Sequence, residues 1–184
     1  MNLAAIVLAA GKASRFGGDK LAAPFKGEPL LAHAIRAARA APVDRVILVC
    51  PPAFDTSLWP DIEPVRLASP GISASLKAGI AAAAGTDGAF IFLGDMPLVP
   101  HHIATELAAS LGGNFAAIPR WQGKPGHPVL LSSRGFAQIA KLTGDEGAGK
   151  LLRASKDVAF VETADEGVLL DIDRAEDIAR LERR

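Results

Sequence analysis

Leu8-Ala9-Ala10-Gly11-Lys12-Ala13-Ser14-Arg15-Phe16-Gly17-Gly18-Asp19-Lys20 is the stretch on which the reading of this chain turns. It follows the apolar run Leu3-Ala4-Ala5-Ile6-Val7-Leu8, which has no polar alternation. Such a run is a strand buried on both faces, as in a parallel sheet covered by helices. Open α/β sheets bind ligands beyond the carboxyl ends of their strands, where this loop must lie. Ala9, Ala10 and Gly11 carry almost no side chain, so a flat base or a ribose can approach their backbone. Gly11, Gly17 and Gly18 permit conformations in which successive N–H groups point at one anion. Arg15 can fork two phosphate oxygens, and Lys20 can act as a mobile point charge. A surface turn with solvated cations would not account for Lys12, Arg15 and Lys20 within nine residues. Two standard phosphate loops are excluded by spacing. The Walker A pattern G-x4-G-K-[ST] fails because Gly17 is followed by Gly18, and Lys12-Ala13 breaks the dinucleotide pattern G-x-G-x-x-G.

Outward from this loop, strand-like and helix-like runs alternate. Arg45–Cys50 and Gly88–Leu93 repeat the buried-strand pattern. Between them, residues 30–40 place Leu30, Leu31, Ala34 and Ile35 at helical spacing with Arg36 and Arg39 opposite. Further helices are expected over residues 73–84 and 101–110. Strand, helix, strand, helix is the βαβ signature. In the second half, short strands are expected over 115–118 and 128–131 around a Gly/Pro-rich loop at 120–126. Helices are expected over 133–142 and 146–154, strands over 158–161 and 168–171, and a closing helix from 174 to about 181. No repeat or linker divides the chain. The expectation is one α/β domain over residues 1–184, a three-layer Rossmann-like arrangement whose mostly parallel mixed sheet is flanked by helices.

Composition agrees and narrows the partners. The 184 residues carry 20 Lys+Arg against 20 Asp+Glu, with 49% hydrophobic residues. That excludes a disordered chain. Neutrality also argues against nucleic acid as a partner, since a long polyanion needs an excess of cations. The balance is local as well as global. Residues 11–26 hold Lys12, Arg15, Lys20 and Lys26 against Asp19, whereas 162–177 hold Glu162, Asp165, Glu166, Asp171, Asp173, Glu176 and Asp177 against Arg174. A small anion held between a basic loop and metal-bringing acids fits this division. The single cysteine, Cys50, can form neither an internal disulfide nor a cysteine metal cluster. With no apolar stretch near 20 residues and no signal-like start, a cytoplasmic protein without membrane contact is expected.

The carboxylates come next. Leu93-Gly94-Asp95-Met96-Pro97 sets Asp95 at the end of a buried strand, on the sheet edge that bears Gly11. A carboxylate there suits Mg2+, which takes one or two protein carboxylates, waters and substrate phosphates. Asp171-Ile172-Asp173 puts both acids on one face by period-two alternation. Asp173 with Glu176 also reads as a D-x-x-E capping box for the last helix. Ser73 or Ser75 reads as a cap for the helix they begin. Thr143–Gly147 reads as another helix cap. His33, His101 and His102 have no visible partners, and the histidines form no zinc-binding pattern.

The pattern L-A-A-G-x(5)-G-x-x-K resembles the signature loop of nucleotidyltransferases of the nucleotide-diphospho-sugar transferase fold. Segments 8–20, 29–35, 71–79, 93–97, 126–130, 143–152 and 170–178, in this order, are similar to the molybdenum-cofactor cytidylyltransferases. That family usually has serine where this chain has Ala13; Ser14 is the neighbouring hydroxyl that can substitute. The resemblance implies nucleotide contacts from Ala9, Ala10, Gly11, Ser14, Arg15, Lys20, Gly71, Ser75, Gly79 and Asp95. It implies catalytic roles for Arg15, Lys20 and Asp95, and Mg2+ on Asp95 and Asp173. Lys124 and His127 fall near the expected acceptor site.

The expected reaction is therefore transfer of CMP from CTP to the terminal phosphate of molybdopterin, releasing pyrophosphate. Cytosine comes from the resemblance, not from spacing. Another NTP or another small phosphorylated acceptor defines the rival within the class, a guanylyltransferase among them. A non-catalytic carrier of the molybdenum cofactor is a second rival. A Rossmann oxidoreductase is disfavoured by the missing G-x-G-x-x-G. A molybdoenzyme apo-protein or a maturation factor is the protein partner such an activity implies.

Overall fold

The computed structural model describes residues 1–11, 16–69, 71–141 and 148–183. In chain order the elements are β1 (Leu3–Leu8), β2 (Pro24–Phe25), β3 (Glu28–Pro29), α1 (Leu30–Ala40), β4 (Arg45–Cys50), β5 (Glu63–Arg66) and α2 (Ile72–Ala82). They continue as β6 (Gly88–Leu93), α3 (Ile103–Leu111), β7 (Ala116–Trp121), β8 (Lys124–Pro125), β9 (Val129–Ser132) and α4 (Ser133–Ile139). The last are α5 (Gly149–Ala154), β10 (Val158–Glu162), a 3-10 turn (Glu166–Leu169) and α6 (Ala175–Glu182).

The strands lie in the order β10-β7-β9-β6-β1-β4-β5, with β8 hairpinned onto β7. The β1–β4, β1–β6, β4–β5 and β7–β10 pairs are parallel, and β9 runs antiparallel to both neighbours. This is the mixed, mostly parallel sheet that the apolar runs imply. The alternation of β1 explains the layering. Leu3, Ala5 and Val7 enter one core with Leu31, Ile35, Ile103 and Leu107. Ala4 and Ile6 enter the core on the opposite face with Leu76, Ile80 and Ile139. Helices thus cover both faces, α1 and α3 on one, α2 and α4 on the other. Among the described residues no helix is long and apolar enough to cross a membrane.

The chain winds from β1 outward through β4 to β5, then returns to the other flank of β1 as β6. The loops after β1 and β6 therefore diverge and leave a crevice between them. Gly94 permits this closeness. Its N–H donates to the Leu8 carbonyl at 3.0 Å, and a Cβ there would sit 3.1 Å from that same oxygen.

Four local expectations need correction. Residues 168–171 are not a strand: the 3-10 turn ends at Leu169, and the extended chain beyond it docks through Ile172 N–H to the Asp95 carbonyl at 3.0 Å. The capping box lies one residue later than Asp173/Glu176, with Arg174 as N-cap and Asp177 accepting from the Arg174 N–H at 2.8 Å. Neither Ser73 nor Ser75 caps α2, whose N-cap is Gly71 without a side-chain bond. Helix α4 stops at Ile139, short of 142. The expected cap at Thr143–Gly147 lies outside the described residues.

The 3-10 turn carries the acidic segment into place and is tightly fitted. A Cβ on Gly167 would lie 2.0 Å from the Leu98 carbonyl oxygen. Gly167→Ala should therefore cost about 1–3 kcal/mol, the usual penalty of overpacking. Gly113→Ala, with nothing within 4 Å of the added carbon, should stay within about 0.5 kcal/mol of wild type. Urea unfolding midpoints measure both; equal midpoints for the two variants would contradict the fit described.

Candidate active site

Lys20 holds the centre of the crevice. Its side chain is only 9% exposed, and its Nζ donates to Asp95 Oδ2 at 2.8 Å. The same Nζ lies 3.7 Å from Asp173 Oδ1. Asp95 reaches this point from the end of β6, Asp173 from the extended chain before α6, and Lys20 from the end of the glycine loop. Asp171 joins them: one carboxylate oxygen from each of Asp95, Asp171 and Asp173 lies within 4.8 Å of the others. Gathering three acids is unfavourable. The Asp171 carboxyl is accordingly pushed above its usual range, first by lost hydration, then by the charges of Asp173 and Asp95. Lys20 opposes the shift.

These residues fit a divalent cation. Octahedral coordination at 2.0–2.1 Å needs ligand oxygens roughly 3–4 Å apart, close to the spacing of this trio. The ammonium of Lys20 already sits where positive charge is wanted. Sequence reasoning assigned Asp173 and left Asp171 aside, although period-two alternation had put both on one face.

A cleft of about 460 Å3 opens over this centre, lined by Ala9, Gly11, Lys20, Asp95, Asp173 and Phe54 among others. Ala9 is pinned by its N–H to the Val49 carbonyl at 2.8 Å, and Ala10 is buried beside it. Ser14 and Arg15, with Lys12 and Ala13, lie outside the described residues. At the start of α2, the Ser75 and Ser69 hydroxyls meet at 2.7 Å, and Ser69 Oγ donates to the Gly71 carbonyl. Gly79 lies inward: a Cβ there would meet Ile6 Cγ2 at 2.5 Å, so the structure gives it a packing contact with β1 and it lines neither cavity.

A second cavity of about 290 Å3 adjoins the first, and Leu8 lines both. Its walls come from β6, β7, β9, β10 and the starts of α2 and α5. His127 lines it, whereas Lys124 is exposed on the β7–β8 hairpin and lines neither cavity. His127 Nδ1 lies 3.3 Å from the Ile91 carbonyl. Desolvation pushes its imidazole below the ordinary value, against the pull of that carbonyl and of Asp95.

A glycine loop beside a cation-ready cluster of acids, at the switch point of a mixed α/β sheet, is the layout of a nucleotidyltransferase. The chain belongs to the MobA-like NTP transferase domain family, whose model matches residues 5–158. It is 30% identical to the purine catabolism protein PucB of Bacillus subtilis, across 98% of this chain and 96% of that one. It is 32% identical to a probable molybdenum cofactor guanylyltransferase of Thermococcus gammatolerans, across 83% and 81%. A 2-C-methyl-D-erythritol 4-phosphate cytidylyltransferase of Cereibacter sphaeroides is 38% identical across 73% and 68%. Among solved structures, Rv0371c of Mycobacterium tuberculosis superposes with a TM-score of 0.87 at 26% identity, covering 100% of this chain and 98% of that one. Rv0371c has also been solved in complex with manganese, a structure that superposes with a TM-score of 0.83 at 25% identity across 100% and 99%. The protein is a nucleotidyltransferase of this family, whose members act on nucleoside triphosphates and small phosphorylated acceptors.

The acid cluster sets a pH signature. A carboxyl raised in the folded state costs stability once ionised, and the cost vanishes when folded and unfolded chains are both protonated. In metal-free buffer, Asp171→Asn should raise Tm at pH 7, and the advantage should shrink to nothing below about pH 4. A Tm difference that is constant from pH 7 to pH 3.5 would contradict the strain assigned to this carboxylate.

Proposed function

We propose that this chain, as one domain over residues 1–184, transfers CMP from CTP to the terminal phosphate of a molybdopterin-type acceptor in a Mg2+-dependent reaction. The observation that carries the reading is the Lys20 ammonium held between Asp95 and Asp173 under the glycine loop. An acceptor phosphate is already ionised, so the reaction needs no side-chain nucleophile and depends on alignment and charge neutralisation. An oxygen of that phosphate attacks the α-phosphorus; the α–β bond breaks, and pyrophosphate leaves with the bonding electrons. Ala9, Ala10 and Gly11 let the nucleotide lie against the backbone after β1. Lys20, with Arg15 and Ser14 of the same loop, holds the β- and γ-phosphates and takes up charge as the α–β bond breaks. Gly71 and the Ser69–Ser75 hydroxyl pair offer hydrogen bonds to a base edge at the start of α2. Asp95 and Asp173, with Asp171 beside them, are the residues that would hold Mg2+. The ion's chemistry when bound is neutralisation of triphosphate and pyrophosphate charge. His127 and, farther out, Lys124 face the acceptor, and a molybdoenzyme apo-protein or maturation factor would receive the product.

The cytidylyltransferase of Cereibacter supports CTP, and the guanylyltransferase of Thermococcus supports GTP as the second reading. Pyrophosphate release with CTP, GTP, ATP and UTP in turn distinguishes them, and preference for GTP would overturn the cytidylyl assignment. In the absence of acceptor, the preferred nucleotide at 100 times its Kd should add about 2.7 kcal/mol of stability in a thermal-shift panel. A carrier would show binding without magnesium-dependent pyrophosphate release.

Losing a preorganised charge contact costs about 10²–10³ in rate. Lys20→Ala and Asp95→Ala should each lower kcat by at least that factor under saturating CTP. Either variant keeping near-wild-type kcat would remove its residue from the machinery.

A further inference from the structure

Outside the phosphate cleft, the strongest unexplained feature is the apolar cavity beyond Leu8. Its mouth is formed by two large side chains that remain open to solvent, Ile72 at 43% and Phe160 at 47% exposure. Few large apolar groups are left so open in this molecule, and these two face one opening. Behind them, Leu76 and Val129 continue an aliphatic wall. Such surface is kept uncovered where a ligand covers it.

Two polar groups interrupt the wall. His127 Nδ1 faces the Ile91 carbonyl. A carbonyl only accepts, so Nδ1 carries the hydrogen and Nε2 of the neutral ring is left as an acceptor. The second group is Arg153 on α5, an exposed guanidinium lining the cavity. It forms no ion pair with a carboxylate among the described residues; its terminal nitrogens fold over Gly149, NH1 lying 3.3 Å from where a Cβ would stand. Elsewhere on the surface, arginines such as Arg36, Arg39, Arg45 and Arg120 each have an acidic partner. Arg153 is set out for an anion that the protein itself does not supply.

Position decides what the occupant is. The phosphate cleft draws on the ends of β1, β4 and β6; this cavity draws on β6, β9, β7 and β10, on the other side of Asp95. A molecule here would present its phosphate toward Asp95 from the side opposite the glycine loop.

We propose that this cavity is the acceptor subsite and selects a flat, ring-bodied anion: Ile72 and Phe160 cover the ring, His127 Nε2 accepts from an N–H or O–H on its edge, and Arg153 pairs with its anionic group. The assignment of an acceptor rests on the nucleotidyltransferase reading above. The chemistry assigned to the cavity does not come from that reading.

The test uses the full chain with Mg2+ and three probes: pterin-6-carboxylate (ring, edge N–H donors, anion), 2-naphthyl phosphate (ring and anion, no N–H donor) and glycerol 3-phosphate (no ring). Affinities are measured by calorimetry or ligand fluorescence. Both ring probes should bind, and glycerol 3-phosphate should bind at least tenfold more weakly. Arg153→Met should weaken both ring anions about tenfold while leaving uncharged pterin unchanged, since a charge-assisted bond is worth about that factor. His127→Asn, which keeps a donor for Ile91, should weaken pterin-6-carboxylate about tenfold and leave 2-naphthyl phosphate unaffected. Ile72→Asp should remove both ring probes, while the CTP-induced thermal shift persists. Arg153→Met within twofold of wild type for both ring anions would overturn the proposal, as would glycerol 3-phosphate binding as tightly as the ring probes. Displacement of pterin-6-carboxylate by CTP alone would also overturn it, because the cavity would then hold the nucleobase. Loss of nucleotide binding and turnover specificity, by contrast, strikes the nucleotidyltransferase reading; an intact CTP shift with unresponsive probes strikes this proposal alone.

Discussion

Three carboxylates brought within 4.8 Å of one another are the constraint around which the rest of this molecule is arranged. Two unit charges 4 Å apart near a protein surface interact by about 4 kcal/mol, so the trio would open without a cation and firm anchors. Lys20 is the cation, with its ammonium drawn under the glycine loop and its stem buried. The anchors are backbone and apolar contacts. Ile172, between the two outer acids, is fully buried with Phe25, Leu30 and Leu181, and its N–H is tied to the Asp95 carbonyl. Gly167 lets the preceding turn seat against Leu98, and the Arg174/Asp177 box fixes the start of α6 just beyond. Each of these features looks local. Together they hold like charges close enough to share one counter-ion.

The sheet supplies the other half of the arrangement. Because β4 and β6 flank β1 on opposite sides, the loops leaving β1 and β6 diverge and open a crevice whose floor is the Leu8–Asp95 ridge. One cavity lies on the glycine-loop side of that ridge and another on the β9–β7–β10 side. Two phosphorylated molecules entering from the two sides would meet at the acids. Transfer between them requires opposed approach, and the topology provides it without any moving part.

How far this was legible in the sequence differs by element. Strands β1, β4 and β6 are continuous apolar runs, and their burial on both faces follows from that alone. Lys20 and Asp95 are legible because a cation-bearing glycine loop and a lone acid each follow such a strand. Strand β5, Glu63-Pro64-Val65-Arg66, lies at the sheet edge and has no apolar run to betray it. Val168-Leu169-Leu170 looks like a strand, yet the turn at Gly167 and the single tether from Ile172 to Asp95 are long-range facts. The capping box shifts by one residue because the choice between Glu176 and Asp177 depends on how the chain enters α6. Gly79 reads as a ligand contact in a motif and as a packing contact against Ile6 in space. The apolar cavity was not legible at all, since its walls come from elements scattered across the chain from Leu8 to Phe160.

The zero net charge of the chain takes its meaning from the same centre. Asp95, Asp171 and Asp173 against Lys20 leave two negative charges in the crevice. A divalent cation placed there would cancel them, and no surplus would remain to be balanced elsewhere on the surface. An incoming triphosphate then meets Lys20 and the loop cations at 12 and 15, charges set in one segment of an otherwise neutral chain. A protein with an overall positive field would attract every polyanion in its surroundings, whereas local neutrality confines attraction to ligands small enough to enter the cleft. Balanced composition is thus a condition for selecting a small phosphate, and the positions of the charges, not their number, carry the function.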